Sequence, residues 1–207
     1  LSAQVHPTAI VEEDVRIGPG TRVWDNVHIR RGARIGRDCI VGEKTYVAYD
    51  VEIGDLVKIN AFVYICSGVT IERGVMVSAG TIFTNDRFPR ATTPELDALL
   101  TSDPTEETLS TRVCEGATLG AGSRIGPGVT VGRFAMVGMG SVVTRDVADF
   151  HLVVGSPARS VGIVCRCGHR LRSVDLGRGV PPILACERCE RRYEAGAGPV
   201  RELVAVA

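Results

Sequence analysis

The chain has 207 residues, 44% of them hydrophobic but only 5% aromatic, with 24 glycines; this excludes a globule built on large rings and implies thin aliphatic layers. Lys plus Arg and Asp plus Glu balance at 24 each, so no global field recruits nucleic acid or an anionic membrane. No stretch is apolar enough to span a bilayer, residues 1–7 lack the pattern of a leader, and seven scattered cysteines do not make a secreted disulfide framework, so a cytoplasmic protein is expected.

In chain order, the first pattern is an aliphatic or aromatic residue at every sixth position, from Val5, Val11, Ile17, Val23, Ile29 and Ile35 through to Val77 and Phe83. A period of six fits neither one helix nor one strand, whose side chains repeat every 3.6 and 2.0 residues. It fits a β-solenoid. Two positions earlier lies a small or β-branched residue, as at Val15, Thr21, Val27 and Ala33. Each such pair marks a short strand facing one core, and Gly18, Gly20, Gly36, Gly42 and Gly54 are read as the corners between strands. Three hexads close a triangular coil, so residues eighteen apart stack along a face. The spacing does not write the handedness, and the general rule for parallel crossovers favours right-handed winding.

The rhythm stops after Phe83 and resumes at Val113, Leu119, Ile125, Val131, Val137 and Val143. The gap is one hexad plus twenty-four residues, which predicts a loop over 84–110 thrown out from a corner, with Val113 continuing the Ile17 column. A solenoid has no structural need of so long an excursion, and such loops usually carry function. Asn85 and Asp86 open it, and Arg90 follows; Asn-Asp after a strand is also a common Asx turn.

Subtracting eighteens from the loop entrance places Ser67, Tyr49 and Arg31 below Asn85; Cys66, Ala48 and Arg30 below Thr84; and Tyr64, Tyr46 and His28 below Ile82. This predicts an outward strip of rings beside two adjacent arginines, suited to stacking a pyrimidine and holding a diphosphate. His28 lies three coils down, about 14 Å away, too far to serve as a base at the loop of the same subunit. The four histidines, His6, His28, His151 and His169, form no close pair within the coils, so a catalytic zinc held by imidazoles is excluded.

The segment from Val154 to Arg159, with Pro157 inside it, ends the solenoid, since proline cannot donate to a continuing ladder. Beyond it, Cys165, Cys167, Cys186 and Cys189 form two close pairs that suit a structural zinc with four protein ligands. The first pair has only one intervening residue, and His169 is an alternative ligand to Cys165 or Cys167. The apolar content of this region is too small to fold without such a staple. The expected division is a repeat domain over 1–163 and a zinc-ribbon-like module over 164–207.

The segments His6-Pro7-Thr8-Ala9-Ile10-Val11, Gly32-Ala33-Arg34-Ile35-Gly36, Phe83-Thr84-Asn85-Asp86 with Pro89-Arg90-Ala91, Gly116-Ala117-Thr118-Leu119-Gly120-Ala121, Val137-Gly138-Met139-Gly140-Ser141-Val142-Val143 and Gly155-Ser156-Pro157-Ala158-Arg159 resemble bacterial nucleotide-sugar N-acetyltransferases of the hexapeptide-repeat superfamily. The resemblance covers about residues 5–164. It implies an all-β, left-handed parallel β-helix, a homotrimer, and acetyl-CoA bound in the groove between subunits. The acceptor it implies is the 3-amino group of a UDP-linked uronic acid or a dTDP-linked deoxyhexose.

On that resemblance Asn85 and Asp86 are the candidate catalytic residues, Asn85 positioning the amine or carbonyl and Asp86 orienting the amine or taking its proton. The departing sulfur is a further proton acceptor, as the resemblance suggests, because no histidine lies in the loop. Arg90, Arg31, Tyr49 and His28 are candidates for the nucleotide sugar. Gly120, Ala121, Gly138, Met139, Gly140 and Arg159 are candidates for CoA, the small residues allowing close approach of a pantetheine arm and Arg159 meeting phosphate. The rival readings are the same chemistry on another small acceptor, and a non-catalytic trimeric scaffold that recruits partners through its zinc module.

Overall fold

Each hexad contributes one strand of two residues, as in Arg22–Val23, His28–Ile29 and Arg34–Ile35, with the second residue turned into the core. The computed structural model describes residues 2–174, 183–196 and 198–203, and no helix occurs among them. Val5 pairs with Val23, Val11 with Ile29 and Ile17 with Ile35, all in parallel and all eighteen residues apart. The strands therefore stack into three sheets that form the faces of a prism, and the seven strands of the second face count its seven coils.

The inward column Ile29, Val47, Ile65, Phe83, Ile125 and Val143 is buried throughout. Each such aliphatic side chain contributes roughly 1.5–3 kcal/mol by leaving water. Among the described residues no coil lies beneath the first, and Val5 and Val11, expected as core, are exposed.

The corners differ from expectation in an instructive way. Asp14, Asn26, Asp38 and Asp50 take left-handed φ of 52–56°, and Gly20 and Gly32 occupy the same place in their hexads. Asn and Asp tolerate this conformation better than other non-glycine residues, and Lys44, Leu56 and Phe62 hold it at later corners of the same series. Of the five glycines read as corners only Gly20 is left-handed. Gly36 is required by a different contact, since a Cβ there would lie 2.6 Å from the Gly54 carbonyl carbon in the next coil.

Across the loop, Val69 pairs with Thr111 and Ile71 with Val113, so the register jumps by forty-two instead of eighteen and the Ile17 column continues through Val113. The loop leaves at the corner between the second and third faces. At the far end His151–Gly155 joins the first face beside Met136–Val137, then folds back as an antiparallel hairpin onto Ala158–Ile163. Arg172–Val174, Ile183–Ala185, Arg192–Glu194 and Arg201–Leu203 form a separate antiparallel sheet. Its small core of Cys165, Leu171, Cys186, Tyr193 and Val200 shares Phe150 with the end of the solenoid. A chain of rings links the two, Phe134 to Phe150 at 5.5 Å and Phe150 to Tyr193 at 5.3 Å, and the Arg166 guanidinium lies 4.4 Å from the Phe134 ring.

Candidate active site

At the loop entrance the Asn85 side-chain amide donates to the Ser67 carbonyl of the coil below (3.2 Å), and the Asn85 carbonyl accepts the amide of Leu109 where the loop returns. These bonds close the neck of the loop and leave the Asn85 Oδ1 free as an acceptor. One Asp86 oxygen accepts the Phe88 amide at 2.8 Å, forming the Asx turn that the Asn-Asp pair also signalled. Its other oxygen has no hydrogen-bond partner among the described residues. Both side chains line a polar cavity of about 210 Å³, roofed by the returning loop with Asp103, Glu107 and Thr108. Arg90 is not brought there; its guanidinium donates to the Pro89 carbonyl and otherwise faces solvent.

The strip below the loop follows the eighteen-residue register. His28 meets Tyr46 edge-on at 5.5 Å, and Tyr46 stacks on Tyr64 at 5.2 Å with their planes 6° apart. Arg30 lies 4.2 Å and Arg31 5.8 Å from the Tyr49 ring centroid, so the two cations and this ring form one cation–π layer. Glu12, which the sequence reading did not single out, anchors the layer. It accepts the Arg31 amide at 2.9 Å and contacts His28 Nε2 at 3.0 Å. Arg30 Nε lies 2.7 Å from Glu12 Oε1, close enough for ion pairing but without hydrogen-bond geometry. The Arg31 amide, with His28 and Arg30 beside it, holds the Glu12 carboxyl below the usual carboxylate range. Carrying the column one coil further, from Arg30 to residue 12, is the step that would have reached it.

The candidate CoA residues stand at another corner. Gly120, Ala121, Gly138, Met139 and Gly140 follow strands of the first face and turn toward the second, whereas the loop leaves between the second and third faces. One chain does not bring the two groups together. Gly120 is needed for stacking, because a Cβ there would lie 2.6 Å from the Met139 nitrogen, while Gly140 is left-handed at φ 66° with open space around it. Met139 projects into solvent, 82% exposed. Arg159 lines a pocket of about 230 Å³ at the C-terminal end of the prism, with Arg145 and His151.

The four cysteine sulfurs lie within 4.8 Å of one another. Cys165 and Cys189 are separated by 3.4 Å, Cys167 and Cys186 by 3.5 Å, and Cys167 and Cys189 by 3.6 Å. Such separations are too long for disulfides and near the edge of about 3.8 Å that a tetrahedron with metal–sulfur bonds of about 2.3 Å requires. The donor set therefore fits a metal ion. His169 Nδ1 stands outside it, 3.6 Å from Cys167 Sγ, with Nε2 facing Arg188.

A parallel prism of stacked hexads is the architecture of the left-handed β-helices built from hexapeptide repeats. Residues 14–49 match the family model described as bacterial transferase hexapeptide (six repeats), and 111–145 match the hexapeptide repeat of succinyl-transferase. Over 201 residues, 97% of this chain and 95% of the relative, the sequence is 40% identical to dTDP-3-amino-3,6-dideoxy-alpha-D-galactopyranose 3-N-acetyltransferase of Aneurinibacillus thermoaerophilus. The chain belongs to this family of nucleotide-sugar N-acetyltransferases. It is also 29% identical over 183 residues to the bifunctional protein GlmU of Heliobacterium modesticaldum, matching 72% of this chain and 36% of that larger protein. A hexapeptide-repeat acetyltransferase from Vibrio cholerae, solved with acetyl coenzyme A, superposes with a TM-score of 0.52 at 24% identity, over 65% of this chain and 72% of that one.

Proposed function

We propose that the chain transfers the acetyl group of acetyl-CoA to the 3-amino group of a dTDP-linked 3-amino-3,6-dideoxyhexose. The observation that carries this reading is the placement of Asn85 and Asp86 in one loop-roofed cavity above the ring-and-arginine strip. The sugar occupies the cavity, and the nucleotide runs down the strip past Tyr49 and Arg31. The neutral amine attacks the thioester carbonyl, a C–N bond forms, and the tetrahedral oxyanion collapses with loss of the CoA sulfur. With Nδ2 fixed on Ser67, Asn85 Oδ1 accepts a hydrogen bond from an amine N–H and aims the nitrogen lone pair. The free oxygen of Asp86 orients the ammonium before deprotonation. Either Asp86 or the departing thiolate takes the proton, since no imidazole lines the cavity.

Acetyl-CoA is held between copies, with the loop of one chain meeting the Gly120–Met139 corner of the next in a cyclic homotrimer. Support comes from the apolar side chains that each surface leaves open: Phe88, Leu96 and Leu99 on the loop are about 80% exposed, as is Met139 on the corner. Residues 164–207, of which 175–182, 197 and 204–207 lie outside the described structure, form a module held by zinc on Cys165, Cys167, Cys186 and Cys189. The zinc is structural, because four thiolates leave no open position. No helix among the described residues is long and apolar enough to cross a membrane; the place of action we propose is the cytoplasm, where acetyl-CoA is supplied.

The test is acceptor-dependent release of CoA thiol by the purified protein with the dTDP-linked amino sugar. Release without acceptor dependence, or none with any amino-sugar nucleotide, sinks the reading. Light scattering that gives a monomer of full activity sinks the shared groove.

A further inference from the structure

We propose that the cavity under the loop selects its acceptor by charge at sugar C6, with Asp103 and Glu107 as specificity-determining residues that reject a uronate. The proposal deepens the acetyltransferase reading above and rests on it. Three acids, Asp86, Asp103 and Glu107, line the cavity, and no lysine or arginine does. None of the three is ion-paired among the described residues. The nearest contacts of Asp103 are to Thr101, whose hydroxyl accepts the Asp103 amide at 3.1 Å and lies 3.5 Å from a carboxylate oxygen. No cation of this chain offsets the wall among the described residues, and Asp103 and Glu107, both exposed, act through solvent that salt can screen.

A cavity of about 210 Å³ holds one hexose with little room to spare. With C3 turned to Asn85 and Asp86, the far side of the pyranose faces the returning loop. An amine is drawn toward such a wall in its ammonium form, and hydroxyls find acceptors on it. A methyl group at C6 is indifferent to it. A carboxylate at C6 meets two like charges with no cation of the same chain to answer them, which is the repulsive half of a specificity device. Only one of the two acceptor classes that the sequence resemblance leaves open fits this wall.

The probes are dTDP-3-amino-3,6-dideoxy-D-galactose and the same nucleotide sugar carrying a carboxylate at C6, so that the nucleotide contributes equally to both. Wild-type protein is expected to favour the methyl sugar by about 50-fold or more in kcat/KM, with each like charge worth roughly 5- to 10-fold. In Asp103→Asn/Glu107→Gln the ratio should narrow at least 10-fold through gain on the uronate, whatever happens to the absolute rates. Raising salt from about 0.05 to 0.5 M should narrow the ratio in the wild type as well, a readout independent of how the variant folds. Equal use of the two sugars by the wild type overturns the proposal, as does a ratio that neither the substitutions nor salt can move. If both acceptors are inert while another nucleotide amino sugar is acetylated, the choice of dideoxyhexose fails first and the charge rule is overturned with it.

Discussion

The Tyr193 hydroxyl lies 3.1 Å from the Cys165 sulfur and 3.1 Å from the Arg166 amide nitrogen. The amide can only donate, so the phenol accepts there, which leaves its single proton available to the sulfur. Burial favours the neutral thiol at Cys165, and a hydrogen bond from the phenol is strongest to the thiolate, the form in which the proposed zinc would hold this sulfur. Tyr193 is fully buried and packs at a 60° tilt against Phe150, so the same side chain contacts a proposed zinc ligand and joins the module to the last coil. Outer hydrogen bonds of this kind commonly hold 10- to 100-fold of metal affinity. Tyr193→Phe is expected to retain one zinc per chain but release it to a colorimetric chelator at least tenfold faster than wild type. Unchanged release would show that the hydroxyl merely fills space.

Asp86 both closes a turn and stands in the proposed site, and two substitutions separate these roles. Asparagine keeps an oxygen for the Phe88 amide but removes the charge; alanine removes both. Asp86→Asn should lower kcat about 10- to 100-fold with the loop still resistant to proteolysis, whereas Asp86→Ala should lower kcat similarly and also open the loop to cleavage. Asn85→Ala should cost about 100-fold, with the Ser67 carbonyl left unpaired. Full activity in Asp86→Asn would confine that residue to the turn.

How much of this could be read in advance depends on whether a feature repeats. The columns through Ile29 and Phe83, the jump of register at Val113, and the stack of His28, Tyr46 and Tyr64 all follow from eighteen-residue arithmetic, because each coil fixes the one above it. Glu12 lay within reach of the same arithmetic. Asp103, Glu107 and Thr108 did not, since the return path of a loop is set by contacts such as Leu109 with Asn85 that carry no period. Tyr193 was equally hidden: its partners Cys165 and Arg166 are brought to it only when the small sheet closes on Phe150. The hexad glycines were read as one kind although the chain uses two, one for left-handed φ and one for close approach of coils.

Cys66 sits one coil below Thr84, and burial pushes its thiol up to about 12 from an ordinary value near 9. The folded state therefore favours the neutral thiol. Its contribution is complete below pH 9 and is lost as pH rises toward 12, because the unfolded chain ionises first. Cys66→Ala, which installs the residue that Ala48 supplies one coil down, removes this dependence. Relative to wild type the variant should gain about 2 kcal/mol on going from pH 8 to pH 10.5, read from denaturant midpoints at the two pH values. A constant difference between the two proteins would mean that the thiol ionises as easily folded as unfolded.

The two kinds of hexad position give opposite outcomes when glycine is installed at one and replaced at the other. Lys44 holds φ at 55°, is exposed, and contacts the Phe62 ring at 5.1 Å. Lys44→Gly relieves the left-handed strain, costs a weak cation–π contact and loosens the unfolded chain, for a net gain of about 0.5 kcal/mol. At Gly36 the φ is ordinary but the space is absent: a Cβ would stand 2.6 Å from the Gly54 carbonyl carbon and 2.7 Å from the Asp55 nitrogen. These are backbone atoms of the next coil, which cannot turn aside as a side chain does. Gly36→Ala must therefore push adjacent coils away from each other locally, at a cost of about 1–3 kcal/mol and a drop of several degrees in Tm. If both variants shifted stability in the same direction, the separation of left-handed corners from close-approach corners would be wrong.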